Sequence, residues 1–328
     1  MTEAQVYSGD IPAHLAGKRL DQALAEMFPA FSRTRLKELI EQGQVRVDGR
    51  VPRPRDKVSG GESVAVTERL VPTGEPVAQR VPFAIVYEDE ALVVIDKPAG
   101  LVVHPGAGNA DHTLQNGLLH HAPELASLPR SGIVHRLDKD TSGLLCVAKT
   151  RAAHVALVRA LEARAVHRGY EAICSGVLTA GGRISAPIGR HPVHRVRMAV
   201  RERGGRPAVT HYRIIRRYRA HSHLRLELET GRTHQIRVHM AHLRHPLVGD
   251  PLYGGRLRVP PAASDELLEA LRAFRRQALH AARLGLTHPV TGETLAFEAR
   301  PPPDFGALLA ALDTDMQTAV KRSTGSGR

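Results

Sequence analysis

The most constraining part of this chain is a charged turn set between two apolar runs. Residues 135–143 (HRLDKDTSG) follow the run 132–134 (GIV) and precede the run 144–148 (LLCVA). Both flanks are short and rich in residues that favour strands, so we predict that the turn links two buried strands. Loops held in this way by a rigid scaffold often carry reactive groups. The turn is therefore the first candidate for a functional site.

Two aspartates lie in this turn, and their local surroundings differ. Asp140 precedes Thr-Ser-Gly, where its carboxylate can accept local backbone N–H bonds in a structural role. Asp138 lies two residues after Arg136, and a guanidinium nearby would keep the carboxylate ionised, as a nucleophile requires. A surface ion pair accounts for the same spacing. The residues alone leave the choice between the two aspartates open.

Length and composition bound the class of protein. A chain of 328 residues is long enough for about two domains. It has no apolar run long enough for a membrane span, and its first residues lack the basic start and apolar core of a signal peptide. We therefore expect a soluble, cytoplasmic protein without membrane association. Cys146 and Cys174 lie in apolar segments, which indicates buried free thiols rather than a disulfide or metal ligands.

Positive charge is concentrated in one segment. Between Arg183 and Arg237 there are fourteen arginines and no lysine against three acidic residues, so most of the net charge of +13 lies there. Such a segment predicts binding to the phosphates of a nucleic acid, and binding that weakens steeply with salt. We include Arg195 and Arg197 among the contacts. The alternative is a solvated face of a chain that uses arginine throughout.

Residues 1–70 predict a small αα-β unit with a core at 18–66. Apolar side chains recur at helical spacing from Leu20 to Met27, and a second helix can begin after the N-cap Ser32 and end at Gly43. A strand at 45–47 leads into an Asp-Gly turn, and residues 63–66 predict a further strand.

Three cations fall in the first turns of that second helix: Arg33, Arg35 and Lys37. Positive charge at a helix N-terminus opposes the macrodipole, so these residues suggest an external anion. We predict that they contribute to nucleic-acid binding. The alternative is a generic basic appendage.

A proline- and glycine-rich stretch at 71–82 predicts a linker. A hairpin follows and ends in Asp96-Lys97-Pro98-Ala99-Gly100, where Lys97 is placed to reach a phosphate. Beyond it we predict helices at 111–121 and 152–165, and strands at 166–177, 209–218, 223–229, 279–287 and 294–300. This mixture indicates an α+β catalytic domain at 83–312 with a mainly antiparallel mixed sheet flanked by helices and loops. The polar residues 313–328 predict a flexible tail.

The motif GIVHRLDKDTSG resembles the catalytic motif of the RluA family of RNA pseudouridine synthases. Residues 18–66 resemble the small RNA-binding module, first described in a ribosomal small-subunit protein, that often precedes the catalytic domain in this family. Asp96-Lys97-Pro98-Ala99-Gly100, Thr230 to His239 and the run 249–254 (GDPLYG) match the family as well. The resemblance spans about Lys18 to Pro303.

The resemblance implies roles for three residues. Asp138 is the nucleophile, and Tyr170 lies against the target base with general-base or proton-relay duty. Arg237 pairs with Asp138 and keeps it ionised in an enclosed site. From the residues themselves, Thr233 can cap a helix running to about Leu243, on which Arg237 would lie.

Further substrate contacts are expected around these three. Arg136 would fill the space vacated by a flipped nucleotide or hold its displaced phosphate, and Leu279 would line the base pocket. The remaining residues assigned to substrate binding are His135, Arg232, His234 and Lys97.

The resemblance implies an isomerisation. A uridine is extruded from the RNA, and Asp138 attacks the ribose or the base, or assists abstraction at the ribose, while the N-glycosidic bond breaks. The uracil then rotates and rebonds through carbon. Such a reaction requires no redox carrier, nucleotide cofactor or metal, and we expect none.

Two weak motifs are set aside. The glycines at 106–108 follow a proline rather than a strand and lack the third glycine of a dinucleotide site. His239, His242 and His245 are spaced like metal ligands, but no acidic residue lies between His234 and His245 to complete a site.

The version of the motif found here, with its N-terminal module, most resembles family members that modify large-subunit (23S) ribosomal RNA. We therefore expect ribosomal RNA as the partner, free or within an assembling subunit, and a monomeric enzyme. The alternatives are a tRNA-modifying member of the family and a ribosome-assembly protein whose catalysis is incidental to RNA binding.

Overall fold

The computed structural model describes residues 4–28, 31, 33–69, 77–106, 109–194 and 196–325. The chain divides into two compact units, Met1–Glu75 and Pro76–Arg328. The division falls inside the predicted linker 71–82. Residues 77–82 nevertheless belong to the second unit, because the Gln79 amide donates to the Asn116 carbonyl oxygen at 3.0 Å and the Asn116 side chain donates to the Val77 carbonyl oxygen at 2.9 Å.

The first unit places two helices against a three-stranded antiparallel sheet of order β1-β3-β2. The apolar residues of the two helices recur at helical spacing, which places Leu20, Leu24, Leu36 and Leu39 in the buried core against the sheet. The Asp48-Gly49 turn has positive φ at both residues, as a tight hairpin turn requires. The elements are β1 (Ala4–Asp10), α1 (Leu20–Met27), α2 (Arg33–Glu41), β2 (Val45–Val47) and β3 (Ser63–Arg69).

Strand β1 was not predicted, because it pairs only with the distant β3. Ser32, the predicted cap of α2, lies outside the described residues.

The second unit is built on a nine-stranded mixed sheet of order β4-β5-β6-β13-β7-β12-β11-β8, with β14 paired to β13. Only β6 and β13 run parallel, so the predicted α+β class with a mainly antiparallel sheet is confirmed. The strands of this sheet are β4 (Ala84–Glu88), β5 (Leu92–Lys97), β6 (Ser142–Ala148), β7 (His167–Ser175), β8 (Gly182–Ser185), β11 (Val209–Arg217), β12 (His221–Leu228), β13 (Leu279–Thr287) and β14 (Thr294–Glu298). Strands β9 (Ile188–Arg190) and β10 (Met198–Val200) form a separate two-stranded antiparallel sheet.

Helices cover this sheet at several points. They are α3 (Leu114–His121), α4 (Arg151–Glu162), α5 (Gln235–His242), α6 (Asp265–Ala273) and α7 (Pro303–Gly325). The predicted flexible tail at 313–328 is wrong as far as Gly325, because α7 continues to that residue and its buried Asp315 forms an ion pair with Arg219 at 3.0 Å. Among the described residues, no helix is both long and apolar enough to cross a bilayer.

Candidate active site

The charged turn is held in place from several sides. Strand β6 follows it, but the run before it is not a strand of the sheet: a 3₁₀ turn at Pro129–Gly132 leads to Ile133, which makes only an isolated bridge to Val147. The prediction of a strand on both sides is therefore half wrong. Short apolar runs are ambiguous because burial alone does not determine whether they join a sheet.

Gly143 explains how β6 can enter the sheet here. Its φ is +112°, and a Cβ atom at this position would lie 2.3 Å from the carbonyl oxygen of Ala281 on β13. Only glycine allows this approach. The parallel pairing of β6 with β13 therefore positions the turn at the start of a central strand of the sheet.

Lys97 supports the turn rather than binding a phosphate. Its side chain has no solvent exposure, and its ammonium group donates to the carbonyl oxygens of Pro98, Leu101 and Lys139 at 2.8 to 2.9 Å. Burial lowers the pKa of Lys97 to about 7. The predicted contact of Lys97 with substrate is wrong, because all three N–H donors of its ammonium group bind backbone carbonyl oxygens.

The other end of the turn is held by the segment before β13. The Arg276 guanidinium donates to the Asp140 carbonyl oxygen at 3.2 Å, and the Gln277 amide donates to the Thr141 hydroxyl at 3.0 Å. Asp140 thus helps to hold the turn through its backbone carbonyl oxygen. Within the described part of the chain, its carboxylate accepts none of the backbone bonds we predicted.

A cavity of about 520 Å³ opens above this turn. Three elements converge on it: the turn supplies Asp138, β7 supplies Tyr170 and α5 supplies Arg237. The other predicted substrate contacts that line it are His135, Arg136, Arg232, His234 and Leu279.

Asp138 is the carboxylate that faces Arg237. The Arg237 Nη1 donates to Asp138 Oδ2 at 3.0 Å, and the Asp138 side chain keeps partial access to solvent. Ninety-nine residues separate the two in sequence. Of the two aspartates in the turn, only Asp138 has this cationic partner.

Arg237 is itself fixed by a second carboxylate that sequence reasoning missed. Its Nε and Nη2 donate to the two oxygens of Asp250 at 2.7 and 2.9 Å. Burial opposes the charge of Arg237, but the bonds and charges of Asp250 and Asp138 raise its pKa above the ordinary value. A permanently charged, bidentate anchor therefore presents one N–H group to Asp138.

The turn that follows Asp250 holds this carboxylate in place. Asp250 Oδ1 also accepts from the Leu252 and Tyr253 amides, and the Tyr253 ring lies 5.1 Å from the Arg237 guanidinium. The sequence contains one indication of this role of Asp250, which is the only acidic residue between Glu229 and Asp265. A lone carboxylate in such a basic stretch points to a specific ion pair.

Tyr170 and His234 are uncharged at neutral pH. Burial raises the pKa of Tyr170 and lowers that of His234, in each case disfavouring the charged form. The phenolate that a general base would need is therefore disfavoured, and Tyr170 offers a ring face and a neutral hydroxyl. His234 Nδ1 lies 2.9 Å from the Tyr253 hydroxyl, and its Nε2 lies 4.0 Å from Asp138 Oδ1.

The start of α5 differs from the prediction. His234, not Thr233, is the N-cap residue, with a left-handed φ of 55° and no side-chain cap bond. The predicted cap by Thr233 is wrong. This strained backbone turns His234 toward the cavity, which is typical of positions that serve a site rather than a helix.

His135 lies at the cavity wall with its ring already engaged. Its Nε2 accepts a hydrogen bond from the Cys146 amide at 3.0 Å, and burial lowers its pKa to about 3. The neutral ring ties the turn to β6. Its predicted contact with substrate is thus limited to the part of the ring that faces the cavity.

Arg168 is a cavity residue that the sequence analysis did not assign to the site. It is 9% exposed and lines the cavity, and within the described residues its Nε has no hydrogen-bond partner. A buried guanidinium with an unused donor is costly unless a ligand completes it.

The predicted RNA contacts outside the cavity fall in three classes. Arg33 donates to Asp21 at 3.0 Å, and Lys37 lies 3.5 Å from Glu41, so each has an intramolecular partner. The side chain of Arg35 and the whole of Arg195 lie outside the described residues. Arg197 lines a different cavity, described below.

The histidine cluster does not converge on one point. His239 contacts the Thr210 hydroxyl and the Ala186 carbonyl oxygen, whereas His245 lies 3.0 Å from the Ser175 carbonyl oxygen. Cys146 and Cys174 are buried free thiols, as predicted, and burial raises the pKa of each to about 12.

Two sequence families match the chain. The RNA pseudouridylate synthase family matches residues 91–242, and the S4 domain matches residues 18–64. Over 320 residues the chain is 55% identical to the Ribosomal large subunit pseudouridine synthase D of Pseudomonas aeruginosa, which covers 98% of this chain and 100% of the relative. The protein of that name from Xanthomonas campestris pv. campestris is 54% identical over 311 residues, 95% of this chain and 94% of the relative.

Solved structures give the same result for the fold. The Human RNA Pseudouridylate Synthase Domain Containing 4 is 27% identical, with a TM-score of 0.56 over 70% of this chain and 93% of that chain. The Human RNA Pseudouridylate Synthase Domain Containing 1 is 28% identical, with a TM-score of 0.53 over 71% of this chain and 89% of that chain. The resemblance seen in the sequence motifs is confirmed, and the chain belongs to the RNA pseudouridylate synthase family, with an S4 domain preceding the catalytic unit.

Proposed function

We propose that this protein converts specific uridines of large-subunit ribosomal RNA to pseudouridine, acting as a cytoplasmic monomer without a cofactor. The observation that carries the proposal is the Asp138 carboxylate, held 3.0 Å from an arginine that a buried aspartate fixes in turn. The choice of RNA rests on the names of relatives more than 50% identical over nearly the whole chain.

The arrangement suits an attack on a nucleotide swung out of its helix. Arg237 donates a charge-assisted hydrogen bond to the Asp138 carboxylate and fixes its direction, which suits a nucleophile. Tyr170 and Leu279 offer the flipped uracil a flat, apolar wall. Arg136, at the exposed rim, is placed to occupy the vacated space, and Arg168 adds a second positive charge to the cavity wall.

The chemistry needs no net reactant besides the RNA. While Asp138 engages the nucleotide, the N-glycosidic bond breaks, the uracil rotates within the cavity, and a carbon–carbon bond replaces the bond that was lost. The neutral hydroxyl of Tyr170 is placed to relay the proton that leaves the base carbon. Atoms and charge are the same before and after, as an isomerisation requires.

Asp138→Asn tests the nucleophile, and Asp140→Asn is the matched control two residues away. With Asp138→Asn we expect pseudouridine formation on a 23S rRNA transcript to fall by at least about 10⁴-fold, while RNA affinity stays the same, because Arg237 keeps its two bonds to Asp250. Asp140→Asn should stay active. Retained modification by Asp138→Asn would falsify the nucleophile assignment.

The RNA target needs a separate experiment. Pseudouridines are mapped across total RNA from cells that lack the protein and from cells complemented with wild type or Asp138→Asn. We expect the wild-type gene alone to restore sites in large-subunit rRNA. Sites restored in tRNA instead would contradict the proposed target, and a growth defect rescued by Asp138→Asn would favour a role in subunit assembly.

A further inference from the structure

A second cavity borders the ion pair that orients Asp138. It has a volume of about 700 Å³, and Asp250 and Tyr253 line it, whereas Arg237 lines the cavity that contains Asp138. The two cavities therefore share the cluster of Arg237, Asp250 and Tyr253. The reaction as proposed above makes no use of this second space.

Four arginines from separate parts of the chain line it: Arg197 before β10, Arg256 after the Asp250 turn, Arg272 in α6 and Arg275 beyond α6. Across the described ranges of the chain, none of the four guanidinium groups has an acidic partner within ion-pair distance. Nearby Arg276, by contrast, is paired with Asp304 at 2.7 Å. We call this space the basic cavity.

Of the residues that the structure describes, Asp250 alone is both acidic and part of the lining of the basic cavity, and it does not neutralise the four arginines. Its Oδ1 accepts from Arg237 and from the Leu252 and Tyr253 amides, while its Oδ2 accepts from Arg237. The positive charge of the cavity is therefore uncompensated by the protein, which favours an anionic ligand.

The floor of the basic cavity is apolar. Leu247, Leu271 and Phe274 are buried there, and Leu257 at its edge is 47% exposed. Guanidinium groups above an apolar floor suit a ligand that carries both phosphates and flat rings, which is the chemistry of a nucleotide chain.

Helix stability does not account for the arrangement. Arg272 lies in the last turn of α6, where a cation is favoured by the macrodipole. Arg197 and Arg256 belong to no helix, yet they line the same space. The acidic residues of α6 (Asp265, Glu266 and Glu269) do not line it.

We propose that the basic cavity binds a phosphodiester segment of the substrate RNA away from the flipped nucleotide. The inference rests on the proposed function and adds a second point of attachment within the catalytic unit. Because the Asp250 turn borders the cavity and also fixes Arg237, the RNA is held against the same rigid turn that orients Asp138. Contacts here strengthen binding of the RNA and leave the chemical step unchanged.

The double variant Arg272→Ala/Arg275→Ala tests this in the full-length protein with a 23S rRNA transcript. Its charge-matched control is Arg151→Ala/Arg300→Ala, two exposed arginines that line none of the cavities described here. We expect Kd and KM to rise about tenfold, and the slope of log Kd against log salt to fall by about 2, for the cavity variant alone. The kcat at saturating RNA should stay within about twofold of wild type.

Photo-crosslinking locates the contact directly. A benzophenone amino acid replaces Leu257 in one protein and Val155, which is 43% exposed on α4, in the other. We expect the transcript to crosslink at position 257 well above position 155. Equal crosslinking at the two positions overturns the proposal.

The outcomes separate this inference from the proposed function. Wild-type protein that makes no pseudouridine overturns the proposed function, whatever the arginine variants do. Active wild-type protein, together with a cavity variant whose Kd and salt slope match those of the control, overturns the basic cavity alone. A cavity variant that loses kcat but keeps its RNA affinity also overturns it.

Discussion

Arg237 and the arginines of the basic cavity are the same residue type used in opposite ways. Arg237 is buried and gives three N–H groups to two carboxylates, whereas Arg197, Arg256, Arg272 and Arg275 keep their side chains available. A paired guanidinium has a fixed direction and can orient a nucleophile. An unpaired one retains its charge for a ligand that arrives from solution. The difference separates residues that set kcat from residues that set RNA affinity.

Two bidentate Arg–Asp pairs in this protein differ in burial but not in geometry. Arg237 with Asp250 and Arg276 with Asp304 have nearly the same geometry, with N···O distances of 2.7 to 2.9 Å. The Asp250 side chain has 0% exposure and that of Asp304 has 50%. Exposed pairs contribute little to stability, whereas breaking a buried pair leaves an uncompensated charge.

Among the changes that test this comparison, the largest effect is expected from Asp250→Asn. Removing the buried carboxylate frees Arg237 to change direction, so kcat should fall about 100-fold and the free energy of unfolding by about 3 kcal/mol. Single-turnover kinetics and urea unfolding measure the two quantities, and RNA affinity should stay close to wild type.

Asp304→Asn is the geometric control for that prediction. The exposed pair should cost less than about 1 kcal/mol and leave kcat unchanged. Equal losses from the two variants would show that burial does not distinguish the pairs, and the comparison would fail.

A smaller effect is expected from acid on the catalytic turn. His135 has a native pKa of about 3, below the ordinary value of 6.5, so the unfolded chain binds more protons between these values. The contribution of this residue to stability is therefore complete above pH 6.5 and is lost as the pH falls toward 3, with a loss on the order of 2 kcal/mol by about pH 5.

The variant His135→Gln measures that contribution, because glutamine can accept the Cys146 amide bond without titrating. We expect its urea unfolding to depend less on pH between 6.5 and 4 than that of wild type. The exposed His112→Gln should behave like wild type. An unchanged pH dependence in His135→Gln would contradict the assignment.

The smallest effect is expected from Tyr253→Phe, which lies between the two regions. The change removes the hydroxyl that lies 2.9 Å from His234 Nδ1 and accepts from the Met198 amide at 2.8 Å, but keeps the ring over Arg237. We expect a loss of about 1 kcal/mol in stability and a fall in kcat of less than about tenfold.

Tyr212→Phe is a suitable control, because its hydroxyl has no hydrogen-bond partner among the described residues. If Tyr253→Phe raised KM and left kcat unchanged, the hydroxyl would act with the basic cavity rather than with the active site.

The regular elements and the reactive turn could be predicted from local pattern. Strand β13 matches its predicted bounds of Leu279 to Thr287, and α1 follows the spacing of Leu20 to Met27. These features depend on residues adjacent in sequence, where side-chain periodicity and turn chemistry act directly.

The predictions from sequence were wrong where the partners of a residue lie far away in the chain. Lys97 was predicted to face a phosphate, but one of its three acceptors is the Lys139 carbonyl oxygen, 42 positions away. The polar residues 313–328 were predicted to form a tail, yet Asp315 is buried and forms an ion pair with Arg219. Such pairings carry no local signal.

The sequence by itself determined the class of fold, the family and the aspartate-bearing turn, because these follow from short motifs and local periodicity. Only the tertiary structure decided which charges are paired. Asp250 became the anchor of Arg237, and four arginines of the basic cavity were left without an acidic partner among the described residues, because burial and distance between remote residues set the energy of each charge. The pairing of Arg237 and the lack of acidic partners for the arginines of the basic cavity therefore underlie the different roles proposed for the active site and the basic cavity.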